Sequence, residues 1–204
     1  MKKFLVTIDG PSGVGKTSVG KSIATKLNSC FFSSGSIYRS VAKFLLNNKN
    51  VQIEDLKIEI VSEQCNVNGV IFNEEDLYDN EVSVKSSEIA KKVGLRMLVK
   101  DCLISYFENL DKPLVIEGRD MGSVVFPDAK HKVYLDADLV TRGKRREGQS
   151  NMEETVSDVK RRDFEDKNRV FSPLTIPEGA LVVDNSNLTI DETIALIIEN
   201  LKLQ

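Results

Sequence analysis

The stretch Ile8-Asp9-Gly10-Pro11-Ser12-Gly13-Val14-Gly15-Lys16-Thr17 constrains this chain more than any other, because it reads Gly-x-x-x-x-Gly-Lys-Thr in a telling context. Before it, Lys3 to Ile8 is a short apolar run of strand type. After it, Lys16 to Leu27 carries apolar residues at Val19, Ile23, Ala24 and Leu27, the spacing of a helix face. Strand, glycine loop and helix together form a cradle for a di- or triphosphate. Backbone N–H groups wrap the phosphates, Lys16 reaches the β- and γ-phosphates, and Thr17 turns its hydroxyl to Mg²⁺. The amino end of the following helix adds unpaired amides and the positive end of its dipole. The blander alternative is a glycine-rich turn that merely joins strand to helix.

With 204 residues the chain has room for one α/β core and small appendages. A hydrophobic share of 41% and a charged share of 29% are those of an ordinary soluble protein. No apolar run is long enough to span a bilayer, and Met1-Lys2-Lys3 passes directly into the first strand without a secretory leader, so a cytoplasmic protein is expected. Cys30, Cys65 and Cys102 are odd in number and lack Cys-x-x-Cys spacing, which favours buried free thiols over a disulfide framework or a zinc site. A net charge of −3 argues against a general nucleic-acid binder.

Further along, Cys30-Phe31-Phe32 reads as a second strand leading into Ser33-Ser34-Gly35-Ser36-Ile37-Tyr38-Arg39, where small hydroxyl residues cap a helix striped by Ile37, Val41, Phe44 and Leu45. Arg39, in the first turn beside serine hydroxyls, either faces solvent or grips a second phosphate. From about Val51 to Val84 a small inserted subdomain is expected. In it Ile53 to Val61 reads as a helix, Asn68-Gly69 between β-branched residues marks a tight hairpin, and Glu74, Glu75, Asp76 and Asp79 form a solvated loop. A helix from about Leu95 to Leu110 closes this region. Leu114 to Glu117, Lys132 to Asp136 and Leu181 to Asp184 are apolar runs of buried parallel strands. Glu117 ends the first of these, where ligands collect, and is placed to act on Mg²⁺. Thr189 and Glu192 stand in capping-box spacing before a last helix that buries Ile190, Ile194, Ile197, Ile198 and Leu201.

Between Arg142 and Arg169 lie Arg142, Lys144, Arg145, Arg146, Lys160, Arg161, Arg162, Lys167 and Arg169, a local excess of cations on an acidic protein. Ser150 and Glu153 stand in a second capping-box spacing, and Arg162, Asp166 and Arg169 fall at i, i+4 and i+7 on one helix face. The segment is either a solvated face or a mobile cover over the phosphate loop. Phosphoryl transfer gives such a cover a purpose, since two polyanions must be held together by cations that water does not screen. Arginines on a closing lid supply these cations and exclude competing water. A phosphate acceptor is already ionised near neutral pH and needs no general base, in keeping with a chain whose one histidine, His131, has no evident partner.

These motifs resemble the bacterial cytidylate kinases, members of the nucleoside-monophosphate kinase group. The resemblance runs along the chain through Ile8 to Thr17, Ser34-Gly35-Ser36-Ile37-Tyr38-Arg39, Glu117-Gly118-Arg119-Asp120-Met121-Gly122 with Ser123 to Pro127, Arg162-Asp163 with Asp166 and Arg169, and Ser172-Pro173-Leu174. It implies an α/β fold with a doubly wound five-stranded parallel sheet, an inserted monophosphate-binding subdomain carrying a small β-hairpin sheet, and a mobile helical lid. One P-loop kinase domain would comprise core 1–33, the monophosphate-binding region 34–111, core 112–140, lid 141–173 and core 174–204. It implies Mg²⁺-assisted transfer of the ATP γ-phosphate to CMP or dCMP by a monomer with no nucleic-acid or membrane partner. Gly10, Pro11, Ser12, Gly13, Val14, Gly15, Lys16, Thr17 and Ser18 would hold the ATP phosphates, with Thr17 and Glu117 on the metal. Lys16, Arg162, Arg169, Arg142 and Arg145 would serve catalysis, the last two as lid arginines. Ser34, Tyr38, Arg39 and Asp120 would line the monophosphate site, Arg119 would order its loop, and Asp166 would read the sugar hydroxyl.

Two positions depart from the family pattern. Lys100 stands where the base-contacting arginine is expected and Lys91 where a serine is, and lysine cannot reproduce the arginine fork. A monophosphate kinase that also accepts UMP is therefore a rival. A nucleotide-dependent switch that transfers no phosphate is another. The chain lacks the Asn-Lys-x-Asp motif of guanine readers, and the arginine helix has no task in that scheme.

Overall fold

The computed structural model describes residues 3–147 and 156–202. In chain order its elements are β1 (Leu5–Asp9), α1 (Lys16–Lys26), β2 (Cys30–Ser33), α2 (Ser34–Asn47), β3 (Ile58–Val61), β4 (Gln64–Val67), β5 (Val70–Ile71), α3 (Asn80–Ile89), α4 (Val93–Asn109), β6 (Leu114–Gly118), β7 (His131–Asp136), α5 (Leu139–Glu147), α6 (Val156–Lys167), β8 (Leu181–Asp184) and α7 (Ile190–Leu201). Met1–Phe32 with Asp111–Gln204 forms one compact unit, and Ser33–Leu110 forms the other.

The first unit is built on a five-stranded parallel sheet of order β2-β6-β1-β7-β8. The apolar runs that mark these strands in the sequence are those of a sheet covered on both faces. Every residue of β1 and β6 is buried, and the two pair in parallel from Leu5↔Leu114 to Asp9↔Gly118. On its other side β1 pairs with β7, from Val6↔His131 to Asp9↔Tyr134. Strand order thus diverges at β1, so the loop after it opens at the carboxyl edge where an α/β sheet binds ligands. Val19 and Ile23 of α1, with Ile194 and Ile197 of α7, pack into one cluster with Ile8 and Val133. Each such fully buried side chain stabilises the fold by about 1.5–3 kcal/mol. The expected capping box is present on α7. Glu192 N donates to Thr189 Oγ1 at 3.2 Å, and Thr189 N donates to Glu192 Oε2 at 2.8 Å.

The second unit carries an antiparallel sheet of order β3-β4-β5. The Asn-Gly turn forms as the sequence predicts, with φ of 51° at Asn68 and 86° at Gly69, the backbone of a type I′ hairpin. The helix expected from Ile53 to Val61 does not form. Only Ile53–Asp55 makes a helical turn, and Ile58–Val61 is strand β3, whose alternating Ile58, Glu59 and Ile60 match the period of two. The acidic loop is also more ordered than expected. Glu74–Leu77 makes a helical turn, and Asp79 caps α3 by accepting from Val82 N at 2.7 Å. Helix α3 itself escaped the sequence reading because two of its four buried positions, Val82, Ser83, Ser86 and Ile89, are serines.

Helix α6 ends at Lys167, so Arg169 lies past its carboxyl end and not on its face, as the i+7 spacing had implied. The capping box expected at Ser150 and Glu153 lies outside the described residues. Among the described residues, no helix is long and apolar enough to cross a membrane.

Candidate active site

In the first unit the loop 10–15 joins β1 to α1, and the amino end of α1 has no side-chain cap, which leaves its first amides open to an anion. Lys16 is buried and folds back over the loop, its Nζ donating to Gly10 O at 2.9 Å and Pro11 O at 2.7 Å. Burial pulls its ammonium down to about 7, and the charge of Arg119 adds to the effect while Glu117, Asp166 and Asp9 oppose it. Thr17 Oγ1 donates to Glu117 Oε1 at 2.6 Å, so the hydroxyl of α1 and the buried carboxylate of β6 stand together. A hydroxyl beside a carboxylate is a hard oxygen pair of the kind Mg²⁺ takes when substrate phosphates and water complete its shell. Among the described residues no group of three or more His, Cys, Asp or Glu forms a metal cage, which a dedicated protein-only site would require.

The basic segment organises two clusters about this loop. In one, Asp166 of α6 bridges two arginines: Arg119 Nε donates to Oδ2 at 2.8 Å, and Arg169 Nη1 lies 3.4 Å from Oδ1. Burial alone would raise the Asp166 carboxyl, but the charges of Arg119 and Arg169 overcome it and hold the group below the ordinary carboxylate range. Arg162 sits half-buried on the same helix. In the other cluster, Arg142 of α5 donates to Ala137 O at 2.9 Å, to Ser12 O at 3.1 Å and to Asp163 Oδ2, while Asp163 Oδ1 accepts from Ser12 N at 3.3 Å. Arg145 donates to the side-chain and main-chain oxygens of Asn185, each at 2.9 Å, and Asn185 Nδ2 donates to Val14 O at 3.0 Å. Arg142 and Arg145, the arginines expected in a lid, therefore both hold the outer rim of the loop 10–15. Asp163 and Asn185 are parts of the site that sequence reading missed. Asp163 stood in a quoted motif without a role, and its partners Ser12 and Arg142 are 151 and 21 residues away in sequence, beyond any local spacing.

Asp9 is the other omission. It is fully buried at the end of β1, and its two oxygens accept from Met121 N at 2.8 Å and Gly122 N at 2.7 Å. Burial, with Asp120 adding to it, pushes this carboxyl from the ordinary 3.8 to about 6 against the pull of the two amides and Lys16. The folded pKa is raised, so the group's contribution to stability is full below about 4 and is lost as pH rises through 6. The displacement corresponds to about 3 kcal/mol. Relative to Asp9→Asn, the wild-type unfolding free energy is expected to improve by up to that amount as pH falls from 7 to 4. Denaturant melts of both proteins across this range check it, and a pH-independent difference would contradict it.

In the second unit Ser34 is buried at the start of α2, and Arg39 Nη1 donates to Ser83 Oγ at 2.9 Å and Leu77 O at 3.2 Å with its guanidinium 4.6 Å from the centre of the Tyr78 ring. Lys100 lies on α4. One helical turn earlier, α4 carries Arg96, only 4% exposed, which donates to Ala90 O at 2.9 Å and holds its guanidinium 5.6 Å from the centre of the Tyr38 ring. Arg96 is thus the arginine beside Tyr38, and Lys91 is exposed between α3 and α4. His131, at the start of β7, stacks edge-on against Phe4 with ring centres 6.0 Å apart. The three cysteines are free thiols, with Cys65 buried and Cys30 and Cys102 half-buried.

The cytidylate kinase family model matches residues 6–203. The chain is 34% identical over 217 residues to the cytidylate kinase of Clostridium botulinum strain Okra, type B1, covering 99% of each. It is 38% identical over 220 residues to that of Thermodesulfovibrio yellowstonii, covering 98% of this chain and 97% of the relative. Among solved structures, TT1252 from Thermus thermophilus matches all of both chains with a TM-score of 0.55 at 16% identity, a likeness of fold alone. With a family match that spans nearly the full length, and with the Gly-x-x-x-x-Gly-Lys-Thr loop set beside the Thr17–Glu117 pair, the chain belongs to the cytidylate kinase family.

Proposed function

We propose that this protein transfers the γ-phosphate of ATP to CMP or dCMP, giving the corresponding diphosphate and ADP. The observation that carries the reading is the gathering, in one unit, of Lys16, Thr17 and Glu117 with an arginine-bridged Asp166 whose charge, with that of Arg119, acts on Lys16. Both substrates are anions, and at a separation of about 4 Å each unscreened pair of unit charges repels by several kcal/mol. The amides from Gly10 to Ser18 and the Lys16 ammonium take the ATP phosphates. Thr17 and Glu117 would hold Mg²⁺, which when bound neutralises phosphate charge.

On the acceptor side, Ser34, Tyr38 and Arg39 with Asp120 bind the monophosphate. Arg162 and Arg169 bring guanidinium donors to the acceptor and transferred phosphates, Arg119 steadies Asp166, and Asp166 meets the sugar hydroxyl. Arg96 beside Tyr38 is the better base-side candidate, with Lys100 a turn beyond it. The ionised acceptor oxygen attacks the γ-phosphorus in line. The bond to the bridging oxygen breaks, and ADP leaves with that electron pair. No general base is required. Coupled assays with CMP, dCMP, UMP and AMP test the reading. Turnover on CMP and dCMP is expected to exceed that on UMP and AMP; the reverse order would overturn the cytidine assignment, and slow hydrolysis without transfer would overturn the kinase.

A further inference from the structure

A planar trans peptide points its C=O and its N–H in opposite directions, so a bond that holds the oxygen also aims the amide of the next residue. Among the described residues no peptide bond is cis. In the loop 10–15 two peptides are held by their oxygens. Ser12 O accepts from Arg142 Nη1, and Gly13 beside it is packed so closely that a Cβ would stand 2.8 Å from Arg142 O. Val14 O accepts from Asn185 Nδ2 at 3.0 Å and, more distantly, from Arg145 Nη1 at 3.5 Å. Gly15 has no such packing: its φ is 87°, and a Cβ there would meet no atom within 4 Å. Glycine tolerates a wide range of φ, so packing at Gly15 does not stop the Val14–Gly15 peptide from turning over, and the hydrogen bonds to its oxygen fix it. Asn185 is well held for that task. It is 3% exposed, its own N–H donates to Asp136 O at 2.9 Å, and its Oδ1 accepts from Arg145 Nη1 at 2.9 Å while Nδ2 faces Val14 O. Reversing the carboxamide would set oxygen against oxygen and NH₂ against guanidinium, so both neighbours enforce one orientation.

We propose that Asn185 is a positioning residue for the donor nucleotide: by holding Val14 O from the end of β8, it directs the Gly15 N–H the opposite way, toward the ATP phosphates. This rests on the reading of the loop 10–15 as the ATP phosphate site. The bond from Arg145 orients the carboxamide, and the bond to Val14 O does the aiming. Without the Nδ2 donor the peptide is free to turn its oxygen inward, where a carbonyl meets a polyanion with the wrong sign of charge. The effect therefore falls on the donor phosphates and spares the acceptor.

Steady-state kinetics with ATP and CMP varied separately, and inhibition by inorganic tripolyphosphate against ATP, test this on Asn185→Asp and Asn185→Leu. Aspartate keeps the oxygen that Arg145 uses and loses only the donor to Val14 O. Leucine loses both without adding a charge. Both variants are expected to raise KM for ATP and Ki for tripolyphosphate on the order of tenfold, with KM for CMP within about twofold of wild type. Partial unfolding lowers kcat by reducing active enzyme but leaves KM in place, so the measurement holds even for a variant that folds poorly. A rise with leucine alone would put the role of Asn185 in its bond with Arg145, and a rise with aspartate alone would be repulsion by the added charge. A rise for ATP without one for tripolyphosphate would mean contact with the base. Each of these, like an unchanged KM for ATP in both variants, overturns the aiming role while the reading of the loop stands. If tripolyphosphate does not compete with ATP on the wild-type enzyme, the phosphate-site reading of the loop falls, and this role with it.

Discussion

Replacing Lys16 with methionine is expected to lower kcat by on the order of 10²–10³-fold, with little change in thermal stability. The side chain is buried and its Nζ is spent on two carbonyls of its own loop, Gly10 O and Pro11 O. An ammonium whose pKa burial pulls down to about 7 is poorly solvated, and it gains most when a polyanion arrives to replace the missing water. Methionine matches the length and removes the charge. The lowered pKa means that folding already disfavours the charged form, so removing the charge is expected to cost the fold little and the loss falls on the transition state. Single-turnover rates at saturating ATP and CMP, with a melting curve alongside, separate the two. A variant whose KM for ATP rises while kcat holds would show that Lys16 binds the ground state and does not select for the transition state.

What the sequence made legible follows from the range of the interactions concerned. The Gly-x-x-x-x-Gly-Lys-Thr loop, the apolar strands, the Asn68-Gly69 turn and the Thr189–Glu192 cap are each determined by residues within a few positions of one another, so the pattern carries them. The turn between β3 and β4 is equally local but uses Ser62 and Glu63 at φ of 49° and 62°, residues that give no glycine or asparagine signal. Without that signal the preceding strand reads as helix. Lys100 and Arg96 lie one helical turn apart on α4, and the burial that sets Arg96 beside Tyr38 is not written in their local spacing. The connections that assemble the site are of another kind. Asp9 to Gly122, Ser12 to Asp163 and Asn185 to Val14 span 113, 151 and 171 residues, and no local periodicity encodes them.

Arg142→Met is the second large effect, and it is expected to appear in stability before it appears in rate. Arg142 is 7% exposed and spends its guanidinium on Ala137 O, Ser12 O and Asp163, so it is already occupied in the lid and loop framework. Its backbone is equally tied in, since a Cβ on Gly13 would stand 2.8 Å from Arg142 O. Methionine would leave the Asp163 carboxylate buried with the Ser12 amide and the less direct charge of Arg119 to offset it, and breaking a buried pair from one side costs about 3–5 kcal/mol. For a chain of this size that corresponds to a fall in Tm of roughly 6–20 °C. Asp163→Asn, which retains an acceptor for Ser12 N and removes the charge, is expected to cost less than Arg142→Met. The two readings of Arg142 then separate cleanly in calorimetry. A residue that latches α5 and α6 to the phosphate loop lowers Tm and leaves kcat per folded molecule largely intact, whereas one that reaches the transferred phosphate leaves Tm in place and lowers kcat. An unchanged Tm with a large loss of kcat would return Arg142 to the catalytic arginines and leave Asp163 without the partner that its burial requires.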